Sequence, residues 1–191
     1  MGFDDELHHI TPERLTDSKN KTWADVAGRS EKVLTFLDLC GHEKYLKTTI
    51  FGLVGLMPDY AMIVVGANMG ITRMTREHLG ISLALKVPIF IIVTKIDIAP
   101  EEVFENTVST ITKILKSPGM LSNAIGAQRM PIMIKEDEDV TVYSKSIKSD
   151  KICPIFCVSN VTGQGIDQVK RFMSHLQVRT FSSGLFKMPT D

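Results

Sequence analysis

The chain has 191 residues, with 22 Lys and Arg against 22 Asp and Glu, so its formal net charge is zero. Apolar residues make up 43% and aromatics 7%, enough for one domain with a real core and short for two. The balance of charge excludes the strong basic excess of a nucleic-acid-coating protein. No apolar run reaches the ~18 residues needed to span a bilayer, and the acidic start Phe3-Asp4-Asp5-Glu6 is not the basic start of a signal peptide. Cys40, Cys153 and Cys157 form no CxxC pair, which argues against a disulfide framework or a zinc ribbon. The expected compartment is therefore the reducing cytoplasm, with no membrane partner.

Residues 1–30 are polar, with little periodicity, and read as a loop or arm. A domain over 31–180 follows, and 181–191 reads as a tail or linker. Four apolar runs within the domain have strand length: Val33 to Asp38, Tyr60 to Gly66, Val87 to Thr94 and Cys153 to Ser159. They are apolar on both faces, as in a parallel sheet covered by helices. Helical spacing fills the gaps. Leu46, Ile50, Leu53 and Leu56 mark the first helix; Ile71, Met74, His78, Ile81 and Leu85 the second. Val103, Thr107, Ile111 and Leu115 mark a third, started by Pro100 and two glutamates, and Ile166, Val169, Met173 and Leu176 the last. This alternation predicts an α/β fold with a mostly parallel, doubly wound sheet. Residues 117–150 interrupt it. Pro131 to Lys135 and Val140 to Tyr143 suggest a hairpin insertion whose tip is Glu136-Asp137-Glu138-Asp139; a solvated loop is the plainer alternative.

Open α/β sheets bind ligands at the carboxyl ends of their strands, and three strand ends here carry chemistry. After the first comes Asp38-Leu39-Cys40-Gly41-His42. The carboxylate can hold Mg²⁺ through water, the glycine lets its N–H approach a γ-phosphate oxygen, and the histidine can orient an attacking water. After the third comes Thr94-Lys95-Ile96-Asp97. Asp97 can accept from two donors of guanine that adenine does not offer together, while the lysine stem lies across the ring. After the fourth comes Ser159-Asn160-Val161-Thr162-Gly163, whose amides can face the guanine O6. Singly, each fragment also reads as structure: Asp38 and Asp97 as helix N-caps, Gly41 as a turn, Lys95 as a surface charge. In order, each after an apolar strand, they point to a guanine nucleotide.

The run from Asp38 to Thr49 resembles switch II of the translational GTPases related to elongation factor Tu. Thr75-Arg76-Glu77-His78 and Ala84-Leu85-Lys86-Val87-Pro88 resemble the helix and strand that follow in that class. Gly2-Phe3-Asp4, Thr94-Lys95-Ile96-Asp97, Leu115-Lys116-Ser117-Pro118-Gly119 and Ser159 to Gly163 resemble the GTP-binding protein 1 family more closely. The resemblance implies a P-loop GTPase-like fold and GTP or GDP with Mg²⁺ as ligands. It places Asp38 near Mg²⁺ through water, Gly41 at the γ-phosphate and His42 as the catalytic residue that positions water. It places Lys95 and Asp97 on guanine, and Ser159 and Asn160 closing the base pocket. Ribosome or tRNA would be partners of the parent protein. Thr94 departs from the usual asparagine, which predicts weaker nucleotide affinity, and Asn160 departs from alanine.

The phosphate-cradling pattern G-x-x-x-x-G-K-[ST] occurs nowhere in the 191 residues. Thr11 fits a switch I threonine superficially. The resemblance therefore implies a G domain without its phosphate loop, switch I or central strand, with apolar surface exposed in consequence. A truncated piece of a larger GTPase is the leading expectation. A non-hydrolysing docking module is the alternative, and an unrelated flavodoxin-like or phosphatase-like protein a third reading.

Overall fold

The computed structural model describes residues 1–4, 6, 8–10, 23–116 and 129–178. Thr11, residues 117–128 of the expected insertion and the tail 181–191 lie outside the described residues. In chain order, β1 (Gly2–Phe3), β2 (His9–Ile10), helix α1 (Trp23–Gly28) and β3 (Lys32–Val33) come first. The three strands form a small antiparallel sheet in the order β2-β1-β3. So the stretch read as a polar arm holds regular structure: Phe3 is fully buried and Val26 nearly so. Lys32 fastens this sheet to the rest, its half-buried ammonium donating to the carbonyls of Ser174 and Leu176.

A single 3₁₀ turn, Glu43–Tyr45, leads into α2 (Leu46–Leu56). Then strands and helices alternate: β4 (Ala61–Gly66), α3 (Arg73–Ala84), β5 (Ile89–Thr94), α4 (Glu101–Lys116), β6 (Met130–Met133), α5 (Asp137–Ser146), β7 (Ile152–Cys157) and α6 (Ile166–His175). The second sheet runs β4-β5-β7-β6, and every pairing in it is parallel. This is the expected α/β architecture, and the predicted helical stripes fall on α2, α3, α4 and α6.

Period-two alternation in β5 explains why it is buried on both faces. Ile89, Ile91 and Val93 point to one side, joining Ala61 and Val65 of β4, Ile155 of β7, Leu79 of α3 and Ile111 of α4. Phe90 and Ile92 point to the other, against Val140 of α5 and Phe172 and Met173 of α6. There Phe90, Phe156 and Phe172 meet with ring centroids 5.0–6.3 Å apart. Such contacts add about 0.5–1.5 kcal/mol per pair beyond area burial.

Two expected elements differ. The run Val33 to Asp38 is strand only at Lys32–Val33, and it joins the small antiparallel sheet rather than the parallel one. Leu34 still exchanges backbone hydrogen bonds with Met1, but Thr35 to Asp38 have no ladder partner among the described residues, and Phe36 and Leu37 are exposed. The hairpin over 131–143 is also corrected. Its first half is β6, a parallel edge strand beside β7, and its second half lies in α5. The acids expected at a hairpin tip start that helix instead: the Asp139 carboxylate accepts from the Glu136 N–H at 3.4 Å, and acids fill the first turn.

Candidate nucleotide site

The parallel ladder brings two of the three motifs together. In the β5–β7 pairing Val93 sits opposite Cys157, and Val158 N–H donates to Val93 O at 2.8 Å. Thr94 ends β5, and the loop Lys95-Ile96-Asp97 therefore leaves the sheet beside Ser159-Asn160-Val161-Thr162-Gly163. A longer bond, Ile96 N–H to Val158 O at 3.5 Å, joins the two loops.

Lys95 is held at φ +63°, the left-handed region that side chains seldom adopt. This turns the chain sharply off β5, with Ile98 N–H donating to Lys95 O at 3.4 Å, and leaves Lys95 and Asp97 exposed, neither side chain with a hydrogen-bond or ion-pair partner among the described residues. Opposite them, Ser159 is fully buried. Its hydroxyl accepts from the N–H groups of Val161 (3.2 Å) and Thr162 (3.1 Å), which tightens the loop and leaves Asn160 at its exposed surface. Gly163 and Gly165 complete the turn at φ +80° and +73°. A Cβ on Gly165 would stand 2.3 Å from the Cys157 carbonyl oxygen, so only glycine fits there.

The third motif is not on a strand of this sheet. Asp38, Gly41 and His42 lie in the irregular, exposed segment between β3 and α2. His42 caps the 3₁₀ turn, its Nδ1 accepting from Lys44 N–H at 3.1 Å, and its ring meets Tyr45 edge-on. Thr49 anchors the segment by donating to Cys40 O at 2.8 Å. Glu43 lies 3.6 Å from Arg73 at the start of α3, which ties the segment to the β4 side of the sheet edge. At Gly41 a Cβ would meet nothing within 4 Å, and the backbone is not left-handed. Neither space nor conformation requires glycine at that position.

Two features escape sequence reading. One is the Glu43–Arg73 link. The other is Asn68, in the turn after β4, whose Oδ1 is buried without a hydrogen-bond partner among the described residues. For Mg²⁺ the donors are sparse: no group of three or more His, Cys, Asp or Glu side chains gathers among the described residues. Asp38, exposed and unpartnered there, is compatible with one water-mediated contact, which suits an ion that keeps much of its hydration. Among the described residues no helix is long and apolar enough to cross a membrane.

A doubly wound parallel sheet with these two loops side by side at its carboxyl edge is an α/β fold of the GTPase-like kind. The family model of the elongation factor Tu GTP-binding domain matches residues 11–178, and the chain belongs to that family. It is 44% identical over 160 residues to GTP-binding protein 1 of Xenopus laevis, covering 84% of this chain and 23% of that protein. To human GTP-binding protein 2 it is 42% identical over 166 residues, covering 86% and 26%. The chain thus spans about a quarter of the length of these relatives. In fold it matches the crystal structure of translation elongation factor SelB from Methanococcus maripaludis in complex with a GTP analogue. That match has a TM-score of 0.52 and 23% identity, over 75% of this chain and 25% of that one.

Proposed function

We propose that the chain supplies the base-reading end of a GTP site, in a GTP-hydrolysing translation factor related to elongation factor Tu. The observation that carries this is the juxtaposition of an exposed Asp97 with the buried, loop-tightening Ser159 across paired β5 and β7. Asp97 accepts from the two guanine donors. The Lys95 stem covers the ring, and the loop Ser159-Asn160 closes on the O6 side. Thr94 lacks the amide of the usual pattern, so binding is weaker than in most GTPases.

Asp38, Gly41 and His42 serve the other end of the ligand. Gly41 offers an N–H with no side chain in the way, and its glycine has no packing reason. His42 is the candidate for orienting the hydrolytic water, and Asp38 would hold Mg²⁺ through water. The ion would supply charge neutralisation at the phosphates.

Without G-x-x-x-x-G-K-[ST] among the 191 residues, base contacts carry most of the affinity of this chain alone. A competition titration of GTP against ATP with Mg²⁺ tests the reading: GTP wins by tenfold or more, about 1.4 kcal/mol, yet binds more weakly than micromolar. Equal competition by ATP overturns the base assignment. A second reading, a docking module that hydrolyses nothing, is favoured by the same absent pattern, and predicts no GTP turnover by any protein that carries this domain. Ribosome or tRNA contact belongs to the first reading, as does a cytoplasmic location.

A further inference from the structure

Asn68 stands at the carboxyl edge of the sheet, where this class of fold takes its ligand, and its Oδ1 is buried without a partner among the described residues. Buried acceptors are rarely left unpaired, and each one that is calls for a donor. Where that donor lies follows from strand register. Gly66 pairs with Thr94, and Ala67 N–H donates to Thr94 O at 2.8 Å, so Ala67 comes opposite Lys95 and Asn68, one residue further on, enters its turn beside the Lys95-Ile96 loop. The turn that carries it is fixed: Gly70 N–H bonds Gly66 O at 2.9 Å, and Thr107 donates to Ala67 O at 3.3 Å. Gly66 leaves room for the amide, since a Cβ there would lie 3.0 Å from Oδ1. On the neighbouring strand end, Lys95 has a strained backbone and an ammonium with no partner among the described residues.

An orphaned acceptor and an unpaired cation on adjacent strand ends are complementary. We propose that Asn68 is a positioning residue of the nucleotide site: when guanine binds, its Oδ1 accepts from the Lys95 ammonium and holds the lysine stem flat along the base. This rests on the base-reading role of Lys95 and Asp97 proposed above. Charge-assisted hydrogen bonds of this kind are among the stronger ones. Asn68 thereby acts through Lys95 and touches no part of the nucleotide.

The test is a GDP titration of the chain followed by ¹H–¹⁵N shifts of the Lys95 and Asn160–Gly163 amides. Asn68→Ala raises Kd about five- to tenfold without lowering the melting temperature, because it removes an unpaired buried acceptor. Asn68→Asp, which keeps an acceptor for the ammonium, restores binding to within about twofold. In a Lys95→Met background, Asn68→Ala changes nothing further. An unchanged Kd in Asn68→Ala, or losses that add in the double variant, overturns the proposal. Asp97→Asn with xanthosine diphosphate separates the two layers. If preference moves to xanthine while Asn68→Ala is silent, base reading stands and the Asn68 role falls. If Asp97→Asn leaves preference unchanged, or GDP shifts neither loop at about 10 mM, both fall.

Discussion

Gly165 shows how a single residue shapes the base loop. At φ +73° with the Cys157 carbonyl at 2.3 Å from any Cβ, it lets α6 start immediately behind the Ser159 loop. Gly165→Ala incurs both left-handed strain and a clash with backbone, a cost of about 2 kcal/mol or more. Urea denaturation should show that loss, with guanine binding weakened more than global stability alone explains. His78 gives a pH signature. Burial pushes its imidazole below the usual range, opposed by the nearby Glu77 carboxylate, and its Nε2 is buried without a partner among the described residues. The folded chain therefore binds that proton less readily than the unfolded one. Its contribution is intact above about pH 6.5 and declines as pH falls below that value. Melting temperature should drop from pH 7 to pH 5, and His78→Gln should flatten part of the slope. Of the candidate positions, Lys95, Asp97 and Ser159 could be placed from sequence because each follows an apolar run that the structure shows to be a strand; Asp38 follows such a run too, but there the strand is not formed. Asn68 was not legible, since an unpaired Oδ1 is a property of packing that a sequence does not display.

Elements were legible wherever one side of the molecule set the pattern. Helix α4 carries its apolar stripe, acids at its start and Lys113 and Lys116 at its end, so periodicity and dipole agree. Helix α5 misled for the opposite reason. Val140, Thr141 and Val142 are β-branched and favour strands locally, but Asp139 closes back on Glu136 N–H and α6 packs alongside. Capping and tertiary contact together override propensity. Asp139→Ala should cost about 0.5–1 kcal/mol in chemical denaturation, whereas a hairpin tip there would tolerate it. The expected strand to Asp38 stops short for lack of a neighbour: Val33 pairs with Gly2 and Leu34 bonds to Met1, and beyond Leu34 no described residue pairs with the run.

At the scale of the whole molecule, apolar exposure is uneven. Phe36, Phe51, Val54, Leu56 and Val64 are all at least half exposed, while β5 and β7 are buried on both faces. Exposed apolar side chains thus line α2 and β4, and β4 forms an edge of the sheet. The base end at β5 and β7 is by contrast well supported from both layers. The chain's size announces an ordinary domain, and the structure gives its two central strands, β5 and β7, cover on both faces. Their carboxyl ends carry the candidate base loops, which makes base recognition the property to measure. A competition titration of guanine against xanthine nucleotides, run on the native chain and on Asp97→Asn, is the most direct test. Loss of guanine preference and gain of xanthine by the variant is the predicted result; unchanged guanine preference would contradict the site.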